Sequence, residues 1–185
     1  MKYRMRNATL EDEPALRALI ARSARTLGAA DYSAAQIEAA LGSAFGVDTL
    51  LIRDGTYFVA EDAAAGLLAC GGWSRRRTLF GSDGRADRDD SWLDPRREAA
   101  KVRAFFVDPR AARCGLGRAI LERSEAEAVR AGFSSFALMA TLPGVPFYAR
   151  CGYLAAAPVT HPLSDGVDIR FVPMFKRAAV VEDTP

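Results

Sequence analysis

The feature that most constrains this chain is one stretch of twenty residues, V-R-A-F-F-V-D-P-R-A-A-R-C-G-L-G-R-A-I-L, at positions 102–121. A β-rich run stops at Asp108-Pro109, a turn holding Gly115 and Gly117 follows, and an apolar stripe of Leu116, Ile120, Leu121, Ser124 and Ala128 begins at helical spacing. Glycines let the backbone come close to a ligand, and the first N–H groups of a helix have no intrahelical partner. The helix dipole adds about half a positive charge there, and Arg113 and Arg118 add full ones, so the natural guest is a pyrophosphate. The spelling excludes two common phosphate motifs. No Lys follows the glycines as a P-loop requires, and Ile120 stands where a dinucleotide fingerprint needs its third glycine.

Around this stretch, strands and helices alternate in mixed order. Residues 3–8 read as a strand, and Thr9 with Asp12 as a capping box that opens a helix bearing Leu16, Leu19, Ile20, Ala24 and Leu27. A second helix begins at Ser33 with Gln36 in the reciprocal position, and a further turn or two over 47–52 ends at Asp54-Gly55. Residues 56–61 and 67–74 form a hairpin. The stretch 75–97, rich in Arg, Asp, Gly and Ser, reads as a solvated surface loop. A strand over 101–107 leads into the glycine turn and a helix ending near Ala131. Next come a strand over 134–141, a short helix over 145–151, and a closing hairpin of 153–159 with 167–175. One domain over 1–177 with a tail of 178–185 is expected.

Lys and Arg number 25 against 23 Asp and Glu, a net charge of +2 that offers no broad basic field for nucleic acid. Cys70, Cys114 and Cys151 are too few and too scattered for a disulfide framework or a zinc site, so no metal is expected. The polar opening and the lack of a long apolar run predict a cytoplasmic protein without a membrane partner.

A second motif, F-Y-A-R-C-G-Y at 147–153, lies one strand after the glycine helix. Together the two resemble the GNAT superfamily of acyl-CoA-dependent N-acyltransferases. In that superfamily a strand ending in V-x-P precedes a Q/R-x-x-G-x-G/A loop, and F-Y-x-x-x-G-F/Y follows. The resemblance covers nearly the whole chain. It implies an α/β (α+β) fold: a mixed, mostly antiparallel central sheet of about seven strands, flanked by helices, with a splayed central pair holding acetyl-CoA. It further implies cofactor contacts from Phe105, Phe106 and Val107, with the backbone of Phe105 and Val107 offered to the pantetheine arm as to an added strand. The pyrophosphate falls to Arg113, Cys114, Gly115, Leu116, Gly117 and Arg118. Tyr148 matches the family's tyrosine that protonates the departing thiolate, a reasonable pairing of a phenol with a thiol of similar pKa.

The implied activity is acetyl transfer from acetyl-CoA to a primary amine, small or peptidic, by direct attack. The alternative is a non-catalytic acyl-CoA-binding sensor or assembly subunit, and a homodimer is open. Three positions depart from the family pattern: Ala112 occupies the Q/R place with Arg113 one later, Pro143 replaces an Asn, and Lys101 replaces a general-base Glu. His161, Glu61, Asp94 and Glu98 are the other candidate bases, with a water chain equally open. Cys114 has no His partner in the motif and reads as a small residue rather than a nucleophile. The family's acceptor pocket lies near the early helices and the closing hairpin, so Tyr32, Phe45 and Trp73 are expected to line it, and the 75–97 loop to border it.

Overall fold

The structure is a computed structural model that describes residues 2–41, 43–84 and 88–179. Local chemistry sets the first elements. Two residues after strand β1 (Arg4–Asn7), Thr9 N–H donates to the Asp12 carboxylate at 2.8 Å and opens a 3-10 turn (Leu10–Asp12) that runs into helix α1 (Glu13–Leu27), with Pro14 in its first turn. Helix α2 (Ala34–Leu41) carries the second capping box, in which Ser33 N–H donates to Gln36 Oε1 at 2.9 Å and Gln36 N–H to Ser33 Oγ at 3.2 Å. The short α3 (Thr49–Arg53) is capped by Asp48, which accepts the Leu50 N–H.

The hairpin of β2 (Tyr57–Asp62) and β3 (Gly66–Ser74) turns where the Asp62 carboxylate accepts the N–H groups of Ala64 and Ala65. Then come β4 (Ala100–Val107), α4 (Leu116–Arg130), β5 (Ser135–Thr141), α5 (Val145–Arg150), β6 (Leu154–Ala155), β7 (Val159–Pro162) and β8 (Asp168–Arg177). The strands form one eight-stranded sheet in the order β1-β2-β3-β4-β5-β8-β6, with β7 also on β8. Among the described strands only β4 and β5 are parallel, joined through α4.

The expected first strand of the closing hairpin is broken in two, which raises the strand count from about seven to eight. Ala156 still donates to Pro173, but Pro158 has no N–H to continue the ladder, and pairing resumes at β7. Ala178 N–H bonds Ser134; the rest of the expected tail beyond residue 179 lies outside the described residues.

Alternation along the strands divides the core between the two faces. Tyr57 and Val59 pack with Leu16, Ile20, Phe45 and Leu51 under α1, α2 and α3, whereas Phe58 and Ala60 pack with Trp73, Leu116, Leu121 and Phe136 under α4.

The stretch 75–97 is not the solvated loop its composition suggests. Arg77 N–H bonds Ser91, Thr78 N–H bonds Asp89, and Leu93, which is buried, bonds Arg75, so the segment runs out and back on itself. Two of its arginines reach back to carboxylates far earlier in the chain. Arg76 pairs with Asp54 at 2.7 Å and stacks on Trp92, and Arg88 reaches the buried Asp48 at 2.9 Å. Asp48 also holds Arg103 of β4 at 2.8 Å. These partners lie 22 to 55 positions apart, beyond the reach of any local pattern.

Candidate active site

Strands β4 and β5 pair only at Ala100 with Phe136 and Lys101 with Ala137. Beyond those two positions they diverge, and a cleft of about 820 Å³ opens between them. Gly115, in the left-handed region at φ 84°, is the N-cap of α4, and Arg113 is left-handed too at φ 64°. Successive turns of this kind curl N–H groups into a concavity suited to anions. No acid stands in the first turn of α4, and no side chain caps it. Gly117 has a steric role: a Cβ there would lie 3.5 Å from the Phe147 ring and 3.7 Å from Val107, so the fold accepts one but the cleft would be narrowed. Arg113, Arg118 and Arg150 border this end, and Cys114 is exposed beside it, outside the cleft lining.

The motif strand is bulged against β3, with the register shifting opposite Gly71. Ala104 takes a positive φ of 57°, and its carbonyl accepts the buried Tyr57 hydroxyl at 3.0 Å, which holds the bulge in place. Gly71 makes room for it, since a Cβ there would lie 2.8 Å from the Phe105 ring. Phe106 pairs with Cys70 and Asp108 N–H bonds Leu68, so alternation turns the peptide groups of Phe105 and Val107 toward the cleft. Val107 N–H there donates to Ser23 Oγ of α1 at 3.3 Å. Asp108, buried just beyond, is bound by Arg110 and Arg22, which hold its carboxyl well below the usual carboxylate range and fasten α1 to the end of β4.

Tyr148, 8 % exposed, lines the cleft on the α4 side. Its ring meets Phe105, Phe147 and Tyr153 edge-on at centroid distances of 6.3, 4.9 and 5.7 Å. No described protein group hydrogen-bonds its hydroxyl, and burial pushes its pKa well up, so the proton is retained. The opposite half of the cleft, toward α1 and α2, is bordered by Tyr32, Phe45, Phe80, Phe106, Met139 and Phe171. Tyr32 is fixed at both lone pair and proton: it donates to Arg170 O at 2.6 Å and accepts the Leu142 N–H at 2.8 Å. Burial raises it to about 12.

The structure thus brings Tyr148, Phe105, Val107, Arg113, Gly115, Leu116, Gly117 and Arg118 to one cleft, along with Tyr32 and Phe45. Besides Cys114, which was expected at the pyrophosphate and stands outside the lining, two placements differ from expectation. Trp73 lies on the other face of the sheet, 2 % exposed and edge-on to Phe133 at 6.0 Å, away from the acceptor half. Phe106 points its side chain into the acceptor half, edge-on to Phe45 at 5.9 Å, and its backbone toward β3. Sequence reasoning missed Ser23, Phe80 and Phe171, whose only signals are apolar or small residues in otherwise ordinary segments.

None of the candidate bases lines the cleft. Lys101 sits where β4 and β5 still pair, and burial lowers its pKa. Glu61 is bound by Arg6, Glu98 by Arg77, and Asp94 faces Arg97 in the outer loop. His161 packs edge-on against Phe80 at 5.0 Å, behind the lining. Cys70 is buried and raised to about 12.

Residues 93–178 match the acetyltransferase (GNAT) domain family. No curated protein matches the chain. Among solved structures, the GCN5-related N-acetyltransferase from Rhodopseudomonas palustris aligns over 96 % of each chain with a TM-score of 0.69 at 17 % identity. The PaiA N-acetyltransferase from Thermoplasma acidophilum, solved with coenzyme A, aligns over 96 % of this chain and 99 % of its own, with a TM-score of 0.63 at 16 % identity. The ribosomal-protein-S18-alanine N-acetyltransferase from Escherichia coli aligns over 100 % and 99 %, with a TM-score of 0.56 at 16 % identity. At these identities the likeness speaks for the fold alone: the chain has the GNAT fold, and its residues 93–178 match the acetyltransferase (GNAT) domain family.

Proposed function

We propose that this protein is an N-acetyltransferase that moves an acetyl group from acetyl-CoA to a primary amine by direct attack. The observation that carries the reading is the joining of two halves in one cleft: a glycine turn with unpartnered helix N–H groups, and a buried phenol whose hydroxyl has no described protein partner. Acetyl-CoA fits this cleft by its chemistry. The N–H groups at 115–118, with Arg113 and Arg118 alongside, suit a pyrophosphate, and the outward peptide groups of Phe105 and Val107 suit the amides of pantetheine.

The cofactor supplies a thioester carbonyl, and the chain does the rest. Amine nitrogen forms the new bond to carbon while the carbon–sulfur bond breaks. A backbone N–H on the bulged strand steadies the charge that develops on oxygen. Tyr148 gives its proton to the departing sulfur, and the proton lost by nitrogen passes to water. To donate to pantetheine, Val107 must exchange the Ser23 hydroxyl for the ligand, a near-even trade of one hydrogen bond for another.

The test is release of free thiol from acetyl-CoA when the purified chain meets a panel of primary amines. The expected result is amine-dependent release above the uncatalysed rate. Tight acetyl-CoA binding with no release for any amine contradicts transfer and leaves the sensor reading.

A further inference from the structure

The acceptor half of the cleft has an unusual inventory. Four phenyl rings, Phe45, Phe80, Phe106 and Phe171, meet in it. Phe45 lies edge-on to Phe106 at 5.9 Å and to Phe171 at 6.2 Å, and Phe80 is tilted against Phe171 at 5.3 Å. They come from four different parts of the chain: the segment before α3, the 75–97 loop, β4 and β8. The loop is fixed as it enters this wall. Ser82 bonds Ser43 O through both its N–H and its hydroxyl, and Gly81 O accepts from Arg103 at 2.8 Å.

Among the described residues that line the whole cleft there is no Asp, Glu, Lys or His. The cations are Arg113, Arg118 and Arg150, at the phosphate end, and Arg103, whose side chain is 2 % exposed and already committed to Asp48 and Gly81. A polyamine or an aminosugar needs carboxylates for its further ammonium groups, and an amino acid needs a cation for its carboxylate. Burying either charge unpaired is costly. An amine on a flat apolar body needs neither, and gains from edge and face contact with the rings.

We propose that the acceptor is a primary amine on an aromatic body with no second charge, an arylalkylamine by class, its ring lodged among Phe45, Phe80, Phe106 and Phe171. The inference rests on the acetyl-transfer reading and narrows its substrate. It also accounts for the missing base. With no carboxylate among the described residues of the wall, burial favours the neutral amine over its ammonium, so the nitrogen gives its proton to water on entry and arrives as the nucleophile.

The experiment compares 2-phenylethylamine with spermidine, glutamate and a lysine-containing peptide as acceptors for the full chain, read as thiol release from acetyl-CoA. The expected result is a kcat/KM for 2-phenylethylamine roughly 10²-fold above the others, of the order that apolar pocket contacts supply. Phe80→Ala should raise KM for that amine about tenfold and leave the acetyl-CoA Kd unchanged. Spermidine, glutamate or the peptide matching 2-phenylethylamine overturns the substrate class while transfer stands. No release with any amine overturns transfer itself. An unchanged KM in a folded Phe80→Ala variant overturns the placement of the ring.

Discussion

Replacing Tyr148 by Phe should lower kcat by roughly 10²-fold or more and leave the affinity for acetyl-CoA within about twofold. The substitution keeps the ring, and with it the edge contacts to Phe105, Phe147 and Tyr153. No described protein group uses the hydroxyl, so its removal leaves no orphaned partner and the fold has little reason to respond. What goes is the proton. The pKa of Tyr148 is pushed up by burial, so the phenol is intact throughout the neutral range, and a thiolate departing into the same apolar surroundings has its own basicity raised in step. A factor of 10² corresponds to about 2.7 kcal/mol of barrier. Steady-state kinetics with acetyl-CoA titration separates the two constants. A variant as active as the parent would make Tyr148 a packing residue.

The largest effect on stability should come from Asp48→Ala. The Asp48 side chain is fully buried, and the guanidinium groups it holds, Arg88 and Arg103, are 10 % and 2 % exposed. Removing the carboxylate takes the buried counter-charge from Arg103, leaves Arg88 to the more exposed Asp83 and Asp90, and also removes the cap of α3. Breaking a buried pair by deleting one partner costs about 3–5 kcal/mol. In a chain of this size that lowers Tm by on the order of 10 °C. Asp48→Asn keeps a cap acceptor and should recover part of the loss. Thermal and urea unfolding check this; a loss below about 1 kcal/mol for Asp48→Ala would show that water replaces the carboxylate at no cost.

What could be read from the sequence was whatever the chain decides within a few residues. Thr9 with Asp12 and Ser33 with Gln36 close their capping boxes as spelled, and the glycine turn leads into α4 at Leu116. The strand–helix–strand order over 101–141 was legible too, and the structure makes that pair parallel. Facing was harder. Strand β3 is buried on both sides, so its residues do not alternate between apolar and polar, and nothing in the sequence told which side Trp73 would take. The bulge at Ala104 shifts the register of β4 again, which sends Phe105 to the cofactor half and Phe106 to the acceptor half. The 75–97 segment was opaque for another reason: its order comes from Asp48 and Asp54, far back in the chain, and charges that pair at long range look locally like a solvated run.

Acetyl-CoA in the cleft between β4 and β5, with its phosphates on the turn at Gly115 and Gly117, should stabilise the fold. The direct measurement is thermal unfolding with and without acetyl-CoA, on the parent chain and on Gly117→Val. A ligand that binds the native state alone adds about 2.7 kcal/mol at a hundredfold excess over Kd, which in a chain of this size is a rise of roughly 5–10 °C. Gly117→Val should fold, because a Cβ there meets only ordinary contacts with Phe147 and Val107, yet its added methyl groups fill the space the ligand needs. The expected result is a clear rise in Tm for the parent and none for the variant. No rise for the parent at millimolar acetyl-CoA, or an equal rise in both, would contradict it.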